Sequence, residues 1–267
     1  MPLRSLSIAV TGAAAMQNKI DAISNNLANV NTTGFKKSRV NFADLFYQYL
    51  QYPGGGQAGV SQQPTGISFG TGVRLVSTEK IFTQGDFART DNPLDWSIEG
   101  EGFFRVTLPN SRIAFTRAGN FSLDNQGNVI TPEGYRIEPQ ISIPTDIILS
   151  SITVDPTGLV QGINPSDPTA PVQLGQINIS KFINPAGLVA IGDNLFIESP
   201  AAGPRLDGTP ALDAGFGTIR QGVLEESNVD VIRELVDMIQ TQRAFEINGN
   251  SIKTADEMLQ EINNLRR

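Results

Sequence analysis

The chain has 267 residues, with 27 acidic and 20 basic side chains, a net charge of −7, and neither cysteine nor histidine. Without these two residue types it forms no disulfide, no thiolate or imidazole metal site and no Cys- or His-based catalytic centre. An acidic chain that lacks runs of Lys or Arg does not favour nucleic acid as a partner. No stretch approaches the roughly 20 apolar residues of a membrane span. We therefore predict no catalytic, metal or cofactor site and no membrane insertion.

The first 33 residues predict a coiled-coil helix, because two apolar sets each recur every seven positions with an offset of three. The sets are Leu6, Ala13, Ile20 and Leu27, and Ala9, Met16, Ile23 and Val30. The apolar run inside this segment is too short for a cleaved signal peptide. At ~1.5 Å per residue such a helix is roughly 40 Å long and needs a partner.

The end of this helix carries polar and turn-forming residues. Asn25, Asn26 and Asn29 fall off the apolar seam, which predicts an exposed amide surface for contact with another polar surface. Gly34 is predicted to stop the helix and Phe35 to anchor the chain after it. Lys36 and the lysine that follows it suit the negative end of the helix dipole.

A connecting segment is predicted at 34–79, and its centre at 50–72 is rich in Gly, Gln and Ser and carries no charge. A free linker of this composition would be flexible. Because an uncharged insertion has little reason to remain in water, we expect it to pack against a neighbouring chain and stiffen the assembly. The residues assigned to this role are Tyr52, Pro53, Gly54, Gly55, Gly56 and Phe69.

Residues 80–213 predict an antiparallel β domain, because short apolar runs alternate with turn signals every 8–12 residues or so. Trp96, Phe103 and Phe104 are expected in its core. The patch Asp124–Asn128 lacks the ligand pattern of a calcium loop, so a hairpin turn is favoured. Glu99 and Glu101 leave open a carboxylate pair acting on cell walls, although a glycine-rich turn is the favoured interpretation.

After a return connector at 214–226, residues 227–267 predict a second coiled-coil helix, with Ser227 and Asn228 as caps and Glu225 and Glu226 near its positive end. Its apolar positions are Val231, Leu235, Met238, Ile239, Phe245, Ile252, Leu259 and Ile262. Each helix could pack on the chain's own β domain. Two long narrow seams at opposite ends favour contact with each other and with neighbouring chains instead. The predicted fold class is α+β.

Four long segments carry a resemblance to the flagellar rod and hook family, and they occur in the family's order. They are SNNLANVNTTGFK at 24–36, EGEGFFRV at 99–106, FTRAGNFSLDNQGNVITPEGYRI at 115–137 and SNVDVIRELVDMIQTQRAFEINGNSIKTADEMLQ at 227–260. The chain's length, its opening segment and GTGVR at 70–74 look most like the family's distal-rod branch, with a proximal-rod or hook paralogue as the alternative.

The resemblance implies a structural subunit of a hollow helical homopolymer. Terminal helices would line the inside and the β domain would lie outside. It also implies export through the flagellar type III pathway without signal-peptide cleavage and a place in the rod that crosses the periplasm. The implied neighbours are proximal-rod proteins, the hook protein or its junction, and the rings that surround the rod.

Overall fold

The computed structural model describes residues 2–52, 65–164 and 167–265. The chain divides into two compact units. The helical unit comprises Met1–Leu27, Ser38–Glu79 and Val231–Arg267, and the β unit comprises Ala28–Lys37 and Lys80–Asp230. The expected fold class is confirmed at this level, since helices at both ends of the chain flank a central antiparallel β region.

The helical unit contains two long helices, α1 (Pro2–Ala28) and α2 (Val231–Leu265). α1 ends six residues before Gly34, in a turn where the N–H of Thr32 donates to the carbonyl of Asn29. The prediction that Gly34 stops the helix was therefore wrong.

The two helices contact each other and run in opposite directions. A Cβ placed on Gly12 would lie 3.0 Å from Oδ1 of Asn248, so the side chain of Asn248 packs directly against α1 at this glycine. Asn26 Nδ2 donates to Oε2 of Glu234 at 3.2 Å. These contacts lie 14 residues apart on each helix, from 12 to 26 and from 248 down to 234. That separation is two heptads, the spacing of an antiparallel helix pair with a constant register.

Within its described residues the helical unit also contains four strands, which form two separate two-stranded sheets. They are β1 (Ser38–Asp44), β2 (Gln48–Gln51), β3 (Ile67–Phe69) and β4 (Val73–Lys80). β1 pairs with β4, and β2 pairs with β3 in an antiparallel hairpin with Tyr49 opposite Ser68. Neither sheet has the three or more strands that a stable isolated sheet requires, so both depend on other contacts.

The β unit contains sixteen strands within the described residues. In chain order they are β5 (Phe87–Arg89), β6 (Trp96–Glu99), β7 (Phe103–Thr107), β8 (Ile113–Thr116), β9 (Ser122–Leu123), β10 (Val129–Ile130), β11 (Arg136–Glu138), β12 (Thr153–Val154), β13 (Leu159–Asn164), β14 (Asp167–Gln176), β15 (Ile179–Lys181), β16 (Val189–Gly192), β17 (Leu195–Ile197), β18 (Leu206–Gly208), β19 (Thr218–Gln221) and β20 (Val223–Glu225).

The largest sheet of the β unit has nine strands and is antiparallel throughout. Its main path is β16-β17-β8-β7-β11-β10-β9, and β15 joins it through β7 and carries β18. β12, β13 and β14 form a second sheet, while β19 pairs with β6 and β20 with β5. The last two pairs bring the end of the β unit's sequence back to its beginning.

The core of the β unit consists of large apolar side chains. Trp96, Phe104 and Phe121 belong to the main cluster, and their rings contact each other at centroid distances of 5.2 and 5.3 Å. Phe103 and Phe115 belong to a second buried cluster, in which both contact Phe182. The expectation that Trp96, Phe103 and Phe104 are core residues is confirmed.

Candidate assembly surfaces and the connector cluster

The apolar seam predicted for α1 is covered in the folded chain. Every residue of both heptad sets is buried or half-buried. The most deeply buried of them are Ala9 and Ile23. Thus α1 uses its seam within the chain, and among its side chains of known burial only Ile8 and Val10 are large, apolar and exposed.

The apolar seam predicted for α2 is only partly covered. Met238, Ile252 and Leu259 are half-buried. The other five predicted positions are exposed: Val231, Leu235, Ile239, Phe245 and Ile262. These five do not pack within the chain, because α2 meets α1 through a different heptad. Their predicted role in contacts with neighbouring chains stays a prediction.

That heptad of α2 is composed of small and polar side chains. Its members follow one another every seven residues: Glu234, Thr241, Asn248 and Ala255. Glu234, Thr241 and Ala255 are buried, and Asn248 lies against Gly12. Small residues allow the two helices to approach closely, which explains why they and not the larger apolar residues form the contact. We call the remaining apolar surface the exposed α2 stripe, and it consists of Val231, Ile232, Leu235, Val236, Ile239, Phe245, Ile247, Met258 and Ile262.

Asn26 lies inside the helical unit and not on an exposed polar surface, so that prediction was wrong. The side chain is 2% exposed. Its Nδ2 donates to the carbonyl of Ser38 at 3.0 Å and to Glu234, and its Oδ1 accepts from the N–H of Ser38 at 2.8 Å. Asn25 is exposed and Asn29 is half-buried. A buried amide that both donates and accepts fixes the orientation of the helices more than their stability.

A second apolar surface lies on the β2–β3 hairpin and the chain before it. We call it the hairpin surface, and its exposed residues are Phe46, Tyr47, Tyr49, Leu50, Tyr52, Ile67 and Phe69. Phe46 is 93% exposed. Tyr49 and Tyr52 stack with their ring centroids 5.0 Å apart, and the guanidinium of Arg4 lies 5.1 Å from the centre of the Phe69 ring. The assigned residues Pro53, Gly54, Gly55 and Gly56 lie outside the described residues.

A third feature is a cluster of buried charges in the β unit, which we call the connector cluster. Nζ of Lys36 lies 2.5 Å from Oε1 of Glu225, and both side chains are completely buried. Nη1 of Arg117 lies 3.4 Å from Oε2 of the same carboxylate. Lys36 also donates to the carbonyl of Thr83 at 2.7 Å, and Arg117 to that of Gly100 at 2.7 Å. The cluster thus holds two cations and one carboxylate.

Burial governs the ionisation of both cations. Desolvation lowers the pKa of Lys36 from its usual value, and the adjacent Glu225 carboxylate opposes that shift. Desolvation likewise lowers the pKa of Arg117, opposed by Glu225 and Glu101. A buried cation is tolerated only when it is paired and hydrogen-bonded, so Glu225 is the residue that makes the cluster possible.

The sequence did not reveal this cluster, and two of its members were assigned other roles. Lys36 and Glu225 were each attributed to a helix dipole, but Lys36 follows the end of α1 by eight residues and Glu225 belongs to β20. Asn228 is not a helix cap either, because its side chain accepts from the N–H of Lys37 and donates to the carbonyl of Ile81. Arg117 was the available signal for the cluster, because it is a charged residue that directly follows an apolar strand.

Gly34 belongs to the connector cluster through its backbone. Its N–H donates to the carbonyl of Glu225 at 2.7 Å, and its φ is +66°. A Cβ at this position would lie 2.7 Å from the backbone of Arg117 and Ala118. Phe35, the next residue, is buried as expected of an anchor, with Nζ of Lys80 4.4 Å from the centre of its ring.

The two carboxylates once considered as a catalytic pair are held in separate exposed ion pairs. Glu99 lies near Arg220 at 3.6 Å, and Glu101 pairs with Lys181. Gly100 between them has a φ of +108°, so the segment turns and does not run as one extended strand.

The acidic patch at Asp124 forms the turn between β9 and β10, as predicted. The N–H of Gly127 donates to the carbonyl of Asp124, and the N–H of Asp124 to that of Asn128. Within the described ranges no group of acidic residues is arranged to hold a metal ion. In the same ranges neither helix is both long and apolar enough to cross a membrane.

Comparison with known proteins defines the class of this chain as an axial protein of the flagellum. Residues 6–36 match the family model described as flagella basal body rod protein, residues 97–162 the flagellar hook protein FlgE/F/G D1 domain, and residues 220–265 the flagellar basal body rod FlgEFG protein C-terminal. These matches include α1, much of the β unit and α2.

Individual relatives cover almost the whole chain. The chain is 48% identical to the flagellar basal-body rod protein FlgG of Buchnera aphidicola, over 98% of this chain and 99% of the relative. It is 44% identical to that of Borreliella burgdorferi, over 99% of each. It is 31% identical to the flagellar hook-basal body complex protein FlhP of Bacillus subtilis, over 99% of this chain and 100% of the relative. The chain belongs to the flagellar basal-body rod protein family.

Proposed function

We propose that this chain is a structural subunit of the distal rod of the bacterial flagellum, and not an enzyme. It polymerises through its terminal helices into a rigid helical tube that transmits torque from motor to hook and encloses the export channel. The observation that carries this proposal is the exposed α2 stripe. The alternative within the family is a proximal-rod or hook paralogue, and the higher identity to rod proteins named FlgG than to FlhP favours the distal rod.

The α2 stripe supports polymerisation because it is too large for the surface of a monomeric helix. Ile232 is 75% exposed, and eight further apolar side chains extend along the 35 residues of the helix. So many exposed apolar side chains on one helix are typical of a protein contact. α1 has already used its seam inside the chain, so a second copy of the same chain supplies the obvious partner for α2.

The contact between copies is heterologous in this proposal, since α1 and α2 differ in what they expose. A heterologous contact whose rotation does not close repeats without end and generates a helical filament. Coiled-coil packing of neighbouring helices would then line the tube. The partners at its ends would be proximal-rod proteins on one side and the hook protein or its junction on the other, with ring proteins around it.

The location of the chain tests this proposal directly. In basal bodies purified with their hooks, we expect mass spectrometry to find the chain and immunogold microscopy to label the thick outer half of the rod. In this proposal the protein is part of the rod that crosses the periplasm, after export through the flagellar type III pathway without signal-peptide cleavage. Label at the rod base would instead indicate a proximal-rod subunit, and absence from the particle would refute the axial assignment.

We further propose that the hairpin surface and residues 50–72 stiffen the tube. The seven residues of the hairpin surface are uncharged and include three tyrosines and Phe46, so contact with a neighbouring subunit removes apolar area from water. A contact outside the helices would restrict sliding between subunits.

Deleting residues 50–72 is therefore expected to leave a polymer that bends. Phe46→Ser should have the same effect in weaker form. Leu212→Ser removes another highly exposed apolar side chain (71%) elsewhere and should leave the polymer straight. Electron microscopy of isolated rods measures their curvature. Straight rods from the deletion variant would show that this segment does not contribute to stiffness.

A further inference from the structure

The connector cluster joins parts of the chain that are far apart in sequence. Lys36 and Glu225 are 189 residues apart, and Arg117 lies 108 residues from Glu225. The carboxylate also accepts from the N–H of Gly85 at 3.1 Å. One side chain therefore holds the beginning, the middle and the end of the β unit's sequence.

The chain passes between the helical unit and the β unit at four points, and their β-unit ends belong to the segments 28–37, 80–86 and 225–230. These segments are hydrogen-bonded to each other inside the β unit. The N–H of Ile81 donates to the carbonyl of Lys37 at 2.9 Å, and that of Glu226 to Asp86 at 2.8 Å. Asn228 bonds both Lys37 and Ile81 at 2.8 Å.

Within the described residues Glu225 is the one carboxylate in an ion pair with Lys36 and Arg117, while Glu101 acts on Arg117 from farther away. Backbone carbonyls accept the remaining hydrogen bonds of the two cations. The carbonyl of Thr83 accepts from Lys36, and the carbonyls of Ile98 and Gly100 accept from Arg117. Removing the Glu225 carboxylate would leave two buried cations facing each other without an ion-pair partner in a medium of low dielectric constant, which is among the costliest changes in a protein interior.

We propose that the Lys36–Glu225–Arg117 cluster is a force-transmitting clasp, which fixes the connector segments to the β unit so that they cannot open separately from it. The role in force transmission rests on the proposed function in the rod. The clasp itself is a property of the single chain. Glu225 is the central residue of the clasp, and Lys36 and Arg117 are its two ion-pair partners.

Hydrogen exchange on the intact chain tests the clasp. In Glu225→Gln, which keeps the size and shape of the side chain, we expect connector amides such as those of Gly34, Lys37 and Gly85 to exchange about a hundredfold faster. Amides in the paired strands β7 and β8 should change by less than about threefold. Asp91→Asn removes the partner of an exposed Arg89 in the same unit and should change neither group.

The order of effects separates a charge clasp from ordinary packing. Lys36→Met removes one cation, yet Glu225 retains Arg117 and Gly85, so we expect only about a tenfold acceleration at the connectors. If the clasp were only packing, the isosteric Glu225→Gln would be nearly silent and Lys36→Met the more damaging of the two. No acceleration in Glu225→Gln, or equal acceleration throughout the β unit, would also overturn the proposal.

The mechanical role is tested in cells that carry Lys36→Met, the milder variant. Rotation of tethered cells against a stalled motor measures torsional compliance, and we expect at least a twofold increase over wild type, with Asp91→Asn unchanged. Unchanged compliance in Lys36→Met would overturn the mechanical role. If the chain formed no rod at all, the proposed function would fail, but the exchange experiment on the isolated chain would still report on the clasp.

Discussion

Replacing Gly34 with alanine is expected to destabilise the β unit by at least about 3 kcal/mol, because the substitution combines two separate costs. Alanine at a φ of +66° is strained by about 1 kcal/mol. Its Cβ would also lie 2.7 Å from the backbone of Arg117 and Ala118, which no side-chain rotation can relieve. The Gly34 N–H is bonded to Glu225, so moving the connector away would open the clasp.

Trp96 makes this experiment specific, since it is the chain's only tryptophan and is buried in the core of the β unit. Its fluorescence during urea unfolding follows that unit. Gly134→Ala is the matched control, because Gly134 has a φ of +93° but no atom near the position of a Cβ. The control should lose only about 1 kcal/mol. Equal losses in the two variants would mean that the connector does not depend on a close approach at Gly34.

Placing an aspartate in the exposed α2 stripe is expected to abolish polymerisation while leaving the monomer folded. Leu235 and Ile239 are 43% and 52% exposed, so Leu235→Asp or Ile239→Asp adds a charge that water still reaches in the free chain. In a polymer the same charge would be desolvated opposite apolar side chains, at a cost of several kcal/mol at each repeated contact.

Gln240→Asp is the control for this prediction, since it introduces the same charge at the exposed position next to Ile239. Sedimentation and electron microscopy report polymer formation, far-ultraviolet circular dichroism the helices, and spreading in soft agar the flagellum. We expect Gln240→Asp to polymerise and swim, and Ile239→Asp to do neither. Normal polymers from both α2-stripe variants would exclude α2 as the assembly helix.

The parts of the fold that were predictable from sequence are those decided by local pattern. The heptads of α1, the turn at Asp124 and the core position of Trp96 all follow from residue spacing or residue type. The α2 seam was not predictable in the same way. The apolar heptad exists in the sequence, but α2 packs against α1 through the small and polar heptad that contains Thr241 and Ala255. Which heptad packs depends on how closely the two helices can approach each other.

The connector cluster was beyond local pattern for a different reason. Its three charges come from positions 36, 117 and 225, and nothing near any one of them indicates the other two. Asn26 is similar, because its partners are Ser38 and Glu234. Such polar contacts between distant segments become visible only when the chain is folded.

The antiparallel register of α1 and α2 also determines where this protein can be labelled. Ser5, Ala255 and Met258 line the same cavity, so the start of α1 and the last turns of α2 lie toward one end of the helix pair. A fluorescent domain fused to either terminus would therefore crowd the same site in every subunit. The turn at Gly134, with open space around it, is the better position for a short epitope.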